Sequence, residues 1–337
     1  MKNIVVFDEV KEVDLKPSGL LRKYVELTKE DLKKFFLKEK KLEECLCPAC
    51  HSNRQAKAFA RFGLEYQECL SCHSLFISPR PDDAALNEFY VKAPSRIFWR
   101  EELSRVTKQK RDEKIIKPRF QWILESAQEY FPGAQDFADV NTNQLGIIEE
   151  IAGAENFRRR TLINPFLKKE ELNSIAIEVL EGPWWETPLK NEVDVMSLFE
   201  MIDRVAHPDG LLRKVGQILR PGGLVFMTAI TASGFDVQVL WERAENLYPP
   251  DRLNIFTVEG LRTLFERHGF ECLELSTPGV LDVDIVAKAF KDDPQIPLPR
   301  FVRYLLSQKD PQIKKAFQEF LQANRMSSYA RILLRKK

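Results

Sequence analysis

A chain of 337 residues has room for one main domain and a small accessory one. Its 44% hydrophobic and 30% charged residues are those of an ordinary globular protein, and a net charge of +1 supplies no global attraction to nucleic acid or to an anionic membrane. The longest apolar runs, such as LVFMTAI at 224–230, fall far short of the roughly 20 residues that a bilayer span needs. The N-terminal segment MKNIVVFDEVKEVDL carries Asp8, Glu9 and Glu12 and does not read as a signal peptide. A cytoplasmic protein without a membrane span is expected.

Residues 1–44 read as an N-terminal strand and helix extension, with helical periodicity over 20–44. Thr28 and Asp31 there predict a capping box ahead of LKKFFLKEKKL. Residues 45–81 hold five of the six cysteines. Cys47-Pro-Ala-Cys50 and Cys69-Leu-Ser-Cys72, separated by 18 residues, have the spacing of a zinc ribbon. Four thiolates close a tetrahedral shell with no open position, so the expected Zn(2+) is structural. His51 and His73 follow the two pairs, which also matches the c-type haem attachment pattern; that chemistry needs export. The alternative is that each histidine takes the left-handed position after a knuckle. Cys45 lacks the CxxC spacing, though it could exchange with Cys47, and Cys272 reads as a core thiol on a strand.

Residues 82–135 read as a helical linker region that buries Trp99, Ile115, Phe120, Trp122, Ile123 and Tyr130 on one side. Basic residues at 100–119 alternate with Glu101, Glu102, Asp112 and Glu113, the pattern of a solvated helix face rather than a nucleic-acid patch. From 136 onward, strands are expected at 136–140, 160–164, 174–180, 193–199 and 224–230. Helices are expected at 209–220 and at 258–269, the latter closed by Gly269. Strands at 270–276 and 283–290, six residues apart, predict an antiparallel hairpin. The alternation gives an α/β fold with a mostly parallel, doubly wound sheet over 136–290. A helical tail with a basic end fills 291–337.

The ribbon runs into LFISPRPDDAALNEFY (75–90). Further on come VDVMSLFEMIDRVAHPDGLLRKVGQILRPGGLVFMTAI (193–230) and YPPDRLNIFTVEGLRTLFERHGFECLELSTPG (248–279). In this order the segments resemble the bacterial class I S-adenosylmethionine-dependent methyltransferases that carry an N-terminal zinc ribbon. Many of these are associated with sugar and surface-polysaccharide modification. The resemblance implies a Rossmann-like sheet of seven strands, six parallel and one antiparallel, and methyl transfer from S-adenosylmethionine.

The family's first strand and loop read roughly hhDhGxGxGh. Asp139 and Val140 match, but Asn141, Asn143 and Leu145 stand at the glycine positions. Those glycines leave bare backbone, often at positive φ, for the donor to lie against. Asn tolerates the left-handed region, and Leu is a poor substitute. Asn164 ends the second strand where the family has an acid for the ribose hydroxyls. The lost charge-assisted contact is worth about 1.5–3 kcal/mol. Phe199 and Glu200 match the family's LFE beside the methyl-donor pocket; plain packing and solvent exposure are the alternatives.

Asp203-Arg204 replaces the family's acid–histidine pair, and PPDRLNIF places Arg252 where a histidine is a candidate base. A guanidinium with a pKa above 12 cannot act as a general base at neutral pH. Arg204 and Arg252 could instead bind an anionic group such as a sugar phosphate; surface salt bridging is the alternative. Trp184-Trp185 reads either as an acceptor-stacking surface or as cover for the sheet edge. These departures favour a non-catalytic methyltransferase-like protein, a scaffold or partner of an active homologue in sugar or surface-glycan modification. The alternatives are an active S-adenosylmethionine-dependent enzyme acting on a sugar or nucleotide sugar, and an RNA methyltransferase or RNA binder. The neutral charge opposes the last of these.

Overall fold

The computed structural model describes residues 1–3, 17–38, 42–140, 150–164 and 177–337. Three expectations lie partly or wholly outside them: the N-terminal extension over 4–16, the loop positions Asn141, Asn143 and Leu145, and the first half of the strand at 174–180.

In chain order, helix α1 (Ser18–Leu32) precedes three short antiparallel strands, β1 (Gln55–Arg61), β2 (Leu64–Cys69) and β3 (Leu75–Ile77). Helices α2 (Asp83–Lys92), α3 (Pro94–Phe98), α4 (Ser104–Arg111) and α5 (Lys117–Tyr130) follow. The main sheet begins with β4 (Asp136–Val140), β5 (Arg159–Asn164), β6 (Glu178–Glu181) and β7 (Val193–Phe199). It continues through α6 (Pro208–Ile218), β8 (Leu219–Ile230), α7 (Phe235–Leu240), β9 (Asn254–Ile255), α8 (Val258–Arg267) and β10 (Phe270–Ser276). Helices α9 (Asp282–Asp292), α10 (Arg300–Ser307) and α11 (Pro311–Ala323) then lead to β11 (Tyr329–Lys336).

The seven-stranded sheet has the order β10-β11-β8-β7-β4-β5-β6. Its core strands are parallel, and β11 alone runs antiparallel to both neighbours. Alternate residues serve the two faces. Val195, Leu224, Phe226 and Leu333 join Phe120, Trp122 and Ile123 of α5. Met196, Val225, Ile332 and Leu334 join Leu211, Leu212 and Val215 of α6 and Leu264 and Phe265 of α8. Both faces are covered, so the strands read as unbroken apolar runs.

Two sequence expectations about the end of the chain are corrected. Residues 283–290 form no strand but lie in α9, which buries Val283 and Val286 one helical turn apart. The antiparallel strand comes instead from the tail expected to be helical: Ala330, Ile332, Leu333 and Leu334 are fully buried between β8 and β10. A buried strand flanked by basic residues has no alternation to distinguish it from a helix.

The capping box is corrected too. Thr28 sits inside α1 and donates its hydroxyl to the Tyr24 carbonyl at 2.8 Å. Asp31 accepts the Ser95 N–H at 2.8 Å, so it caps α3 rather than its own helix. Gly269, at φ +73°, does close α8 as expected.

Candidate functional site

The Sγ atoms of Cys47, Cys50, Cys69 and Cys72 lie within 4.8 Å of one another. Cys47 and Cys72 are 3.5 Å apart, as are Cys50 and Cys69. Zinc–sulfur bonds of about 2.3 Å require tetrahedral edges of about 3.8 Å, so the four sulfurs fit that ion with little movement. His51 and His73 adopt φ of 59° and 57°, each donating its N–H to the carbonyl of the first cysteine of its pair. Both therefore take the left-handed position after a knuckle. Cys45 stands outside the cluster: its sulfur accepts from Arg80 Nε at 3.0 Å and Nη2 at 2.7 Å. Cys272 lies on β10, half-buried, and burial raises its thiol to about 11.

The cysteine cluster is built into the main domain. Strand β3 pairs with β9, giving a second sheet in the order β1-β2-β3-β9. Thr257 donates its hydroxyl to Cys72 O at 2.7 Å, and Arg267 Nη1 donates to Ala49 O at 2.6 Å. His51 Nε2 and His268 Nε2 meet opposite oxygens of Asp209 at 2.7 and 2.6 Å. A Cβ on Gly260 would stand 2.3 Å from Ser74 Oγ, so α8 approaches the second knuckle as closely as glycine allows.

Strand β4 pairs with β5 on one side and with β7 on the other. This is the point where a doubly wound sheet opens a crevice at the carboxyl ends of its strands. Of the residues expected to meet a donor there, Asp139 is buried and accepts the Ser197 hydroxyl from β7 at 2.5 Å. Asn164 is buried at the end of β5. Phe199 ends β7 with the Arg119 guanidinium 5.0 Å over its ring. Glu200 follows at φ +59°, a strained setting for a residue with a side chain, and is partly exposed. Its carboxylate bonds Arg119 Nη2 at 3.1 Å and Arg204 Nη2 at 3.0 Å. Burial pushes its pKa up, but Arg119, Arg204 and Arg252 together hold it well below the usual carboxylate range.

The two Asp-Arg dipeptides cross-pair. Arg252 Nη1 lies 3.3 Å from Asp203 Oδ2, and Arg204 Nε lies 3.5 Å from Asp251 Oδ1. Asp203 is fully buried; burial drives its pKa up to about 7 against the pull of Arg252. Burial acts the same way on Asp251, where Arg96 and Arg204 overcome it and hold the group at about 2. Asp251 also accepts from Arg96 Nη2 at 2.7 Å and from Tyr24 O–H at 2.9 Å. Both aspartates are buried, while Arg252 is 13% and Arg204 24% exposed. Asn254 locks the arrangement by donating to Ile202 O and Val205 O, while Arg80 Nη1 donates to Asn254 Oδ1 at 2.9 Å.

Tyr24, Arg80 and Arg96 escaped the sequence reading because each meets partners far away in the chain, and Arg119, expected on a solvated helix face, is buried instead. Arg80 alone had a local signal, its place in the PRP turn after the ribbon. Trp184 is buried and meets Trp185 edge-on at 5.2 Å. A separate cavity of about 290 Å³ beyond β5 and β6 is lined by Ile163, Leu180, Gly182, Glu186 and Thr187.

Residues 132–275 match the family described as a methyltransferase domain. The fold is the class I methyltransferase fold. A methyltransferase domain implies an S-adenosylmethionine donor. Structures similar to this methyltransferase-fold protein include the [4+2]-cyclase SpnF, at 15% identity over 69% of this chain and 96% of that one, with a TM-score of 0.40. Coclaurine N-methyltransferase bound to N-methylheliamine and SAH is 16% identical over 66% of this chain and 70% of that one, with a TM-score of 0.41. An S-adenosylmethionine-dependent methyltransferase from Mesorhizobium loti is 14% identical over 64% and 98%, with a TM-score of 0.39. No curated protein matches this chain in sequence. Among the described residues no helix is long and apolar enough to cross a membrane.

Proposed function

We propose that this protein is a non-catalytic member of the methyltransferase-fold proteins, acting as a scaffold or partner for an active homologue in sugar or surface-glycan modification. The observation that carries the reading is the crossed pairing of Asp203-Arg204 with Asp251-Arg252. Arginine occupies both places where the resembling family has a histidine, the one at 252 a candidate base, and each is held by the other's neighbouring aspartate. A guanidinium cannot take a proton from an acceptor. The residues at the strand ends also fit a donor poorly: Asp139 is committed to Ser197, and β5 ends in the neutral Asn164. No catalytic step is therefore assigned.

Cys47, Cys50, Cys69 and Cys72 would hold a zinc ion. Bound there, it would cross-link the two knuckles and brace β3 against α8, with no role for substrate.

The test is calorimetric titration of the zinc-loaded protein with S-adenosylmethionine and S-adenosylhomocysteine, beside an assay for labelled methyl transfer to nucleotide sugars. No heat and no transfer are expected. Binding with turnover would overturn the reading.

A second reading, an active enzyme with an anionic sugar or nucleotide-sugar acceptor, is favoured by Asp203. A carboxyl with a pKa near 7 suits a general base. The partly exposed Arg204 beside it suits a phosphate. Asp203 is fully enclosed, so this reading also requires the 248–254 segment to open.

A further inference from the structure

Helices α10 and α11 carry large apolar side chains outward although their inner faces are already packed. Val302 and Leu305 of α10 and Leu321 of α11 are buried. Phe301, Tyr304 and Phe320 are 61%, 66% and 51% exposed. Phe301 and Phe320 are joined through the half-buried Phe317, which lies 6.2 Å from Phe301 and stacks on Phe320 at 6.1 Å, and Tyr304 is exposed one turn along α10 from Phe301. Ile313, Phe317 and Phe320 are spaced i, i+4 and i+7, so they line one side of α11. Singly exposed apolar residues need no explanation, but a contiguous aromatic surface does.

The charge around this surface identifies what covers it. Residues 300–323 hold Arg300, Arg303, Lys309, Lys314 and Lys315 against Asp310 and Glu319, a basic excess in a chain whose whole net charge is only +1. Arg300 and Arg303 share the exposed side of α10 with Phe301 and Tyr304. A second copy would set like charge against like. Rings that stand out by more than half their area need a matching pocket in a protein partner, whereas a lipid headgroup layer yields to them. Aromatic rings with basic residues beside them on an amphipathic helix suit an interface with anionic lipid. The surface is also firmly mounted, because the chain leaving α11 becomes β11 in the interior of the sheet.

We propose that the α10–α11 face docks on an anionic lipid bilayer, seating Phe301, Tyr304 and Phe320 at headgroup level while Arg300 and Arg303 meet lipid phosphates. The proposal is independent of whether the chain transfers methyl groups.

The test is flotation of the full-length, zinc-loaded protein with phosphatidylcholine vesicles, with and without phosphatidylglycerol. Wild type should float only with the phosphatidylglycerol vesicles and lose binding as salt rises. Phe301→Ser/Phe320→Ser and Arg300→Glu/Arg303→Glu should each partition at least about tenfold more weakly while melting at the wild-type temperature. These positions are solvent-exposed, so folding should survive both pairs of changes. Three results would overturn the proposal: no flotation with either vesicle, equal flotation of wild type and both variants, or a wild-type dimer that Phe301→Ser/Phe320→Ser dissolves. The last result would show that a second copy covers the face.

Discussion

Arg252 and Asp203 meet at 3.3 Å beneath the carboxyl ends of the main sheet, in a site where the aspartate has no solvent exposure. Taking one partner of a buried pair away strands the other, at a cost of about 3–5 kcal/mol, whereas removing both can be nearly neutral. Arg252→Met should therefore lower the unfolding free energy by about that amount in a urea titration. Asp203→Asn/Arg252→Met should recover most of it. Equal losses for the single and double variants would mean that the pair is not what holds these segments together.

A buried carboxylate pair makes stability depend on pH. Asp236 of α7 and Asp282 of α9 are both buried. Asp282 accepts from Ser328 N at 2.7 Å and Gln318 Nε2 at 2.9 Å. Burial and the Asp282 charge then raise Asp236 to about 7. A raised acid holds its proton longer in the folded chain than in the unfolded one, so stability falls as pH climbs from about 4 to about 7 and levels off above that. Asp203 adds to the slope in the same window, because burial raises it to about 7 as well. Asp236→Asn should shrink the slope measured by denaturant unfolding between pH 5 and 8 without abolishing it.

Metal analysis should find one zinc per chain, and Cys69→Ser should lose it. Chelation should lower the melting temperature by several degrees, since structural zinc contributes directly to folding. Thr257 and Arg267 tie the knuckles to α8. Amide exchange should consequently quicken in Val258–Arg267 as well as in β1–β3. A change confined to the ribbon would refute that coupling.

Gly234 passes so close to the start of β11 that a Cβ would stand 2.4 Å from Ser328 Cα. That neighbour is backbone and cannot turn aside. Gly234→Ala should destabilise by about 1–3 kcal/mol, the usual cost of overpacking. Gly19→Ala is the control, since nothing lies within 4 Å of its added methyl group; it should be neutral or slightly stabilising.

Local chemistry made much of the fold legible. Strands β4 and β7 fall at 136–140 and 193–199, as expected, and α8 ends where Gly269 permits the turn. The four cysteines converge as their spacing required. Positive φ at His51 and His73 followed from the tight knuckle alone. Within each strand, helix end and knuckle the cause lies within a few residues of the effect.

The remainder depended on partners that chain order does not announce. YARILLRK became the antiparallel strand because a slot between β8 and β10 needed filling, while VDIVAKAF, also mostly apolar, forms a helix that turns Val283 and Val286 inward. The reading of 203–204 and 251–252 as two separate substitutions missed that each arginine answers the other's aspartate. Sequence sets which charges exist; only the folded chain, by taking them out of water together, decides which must pair.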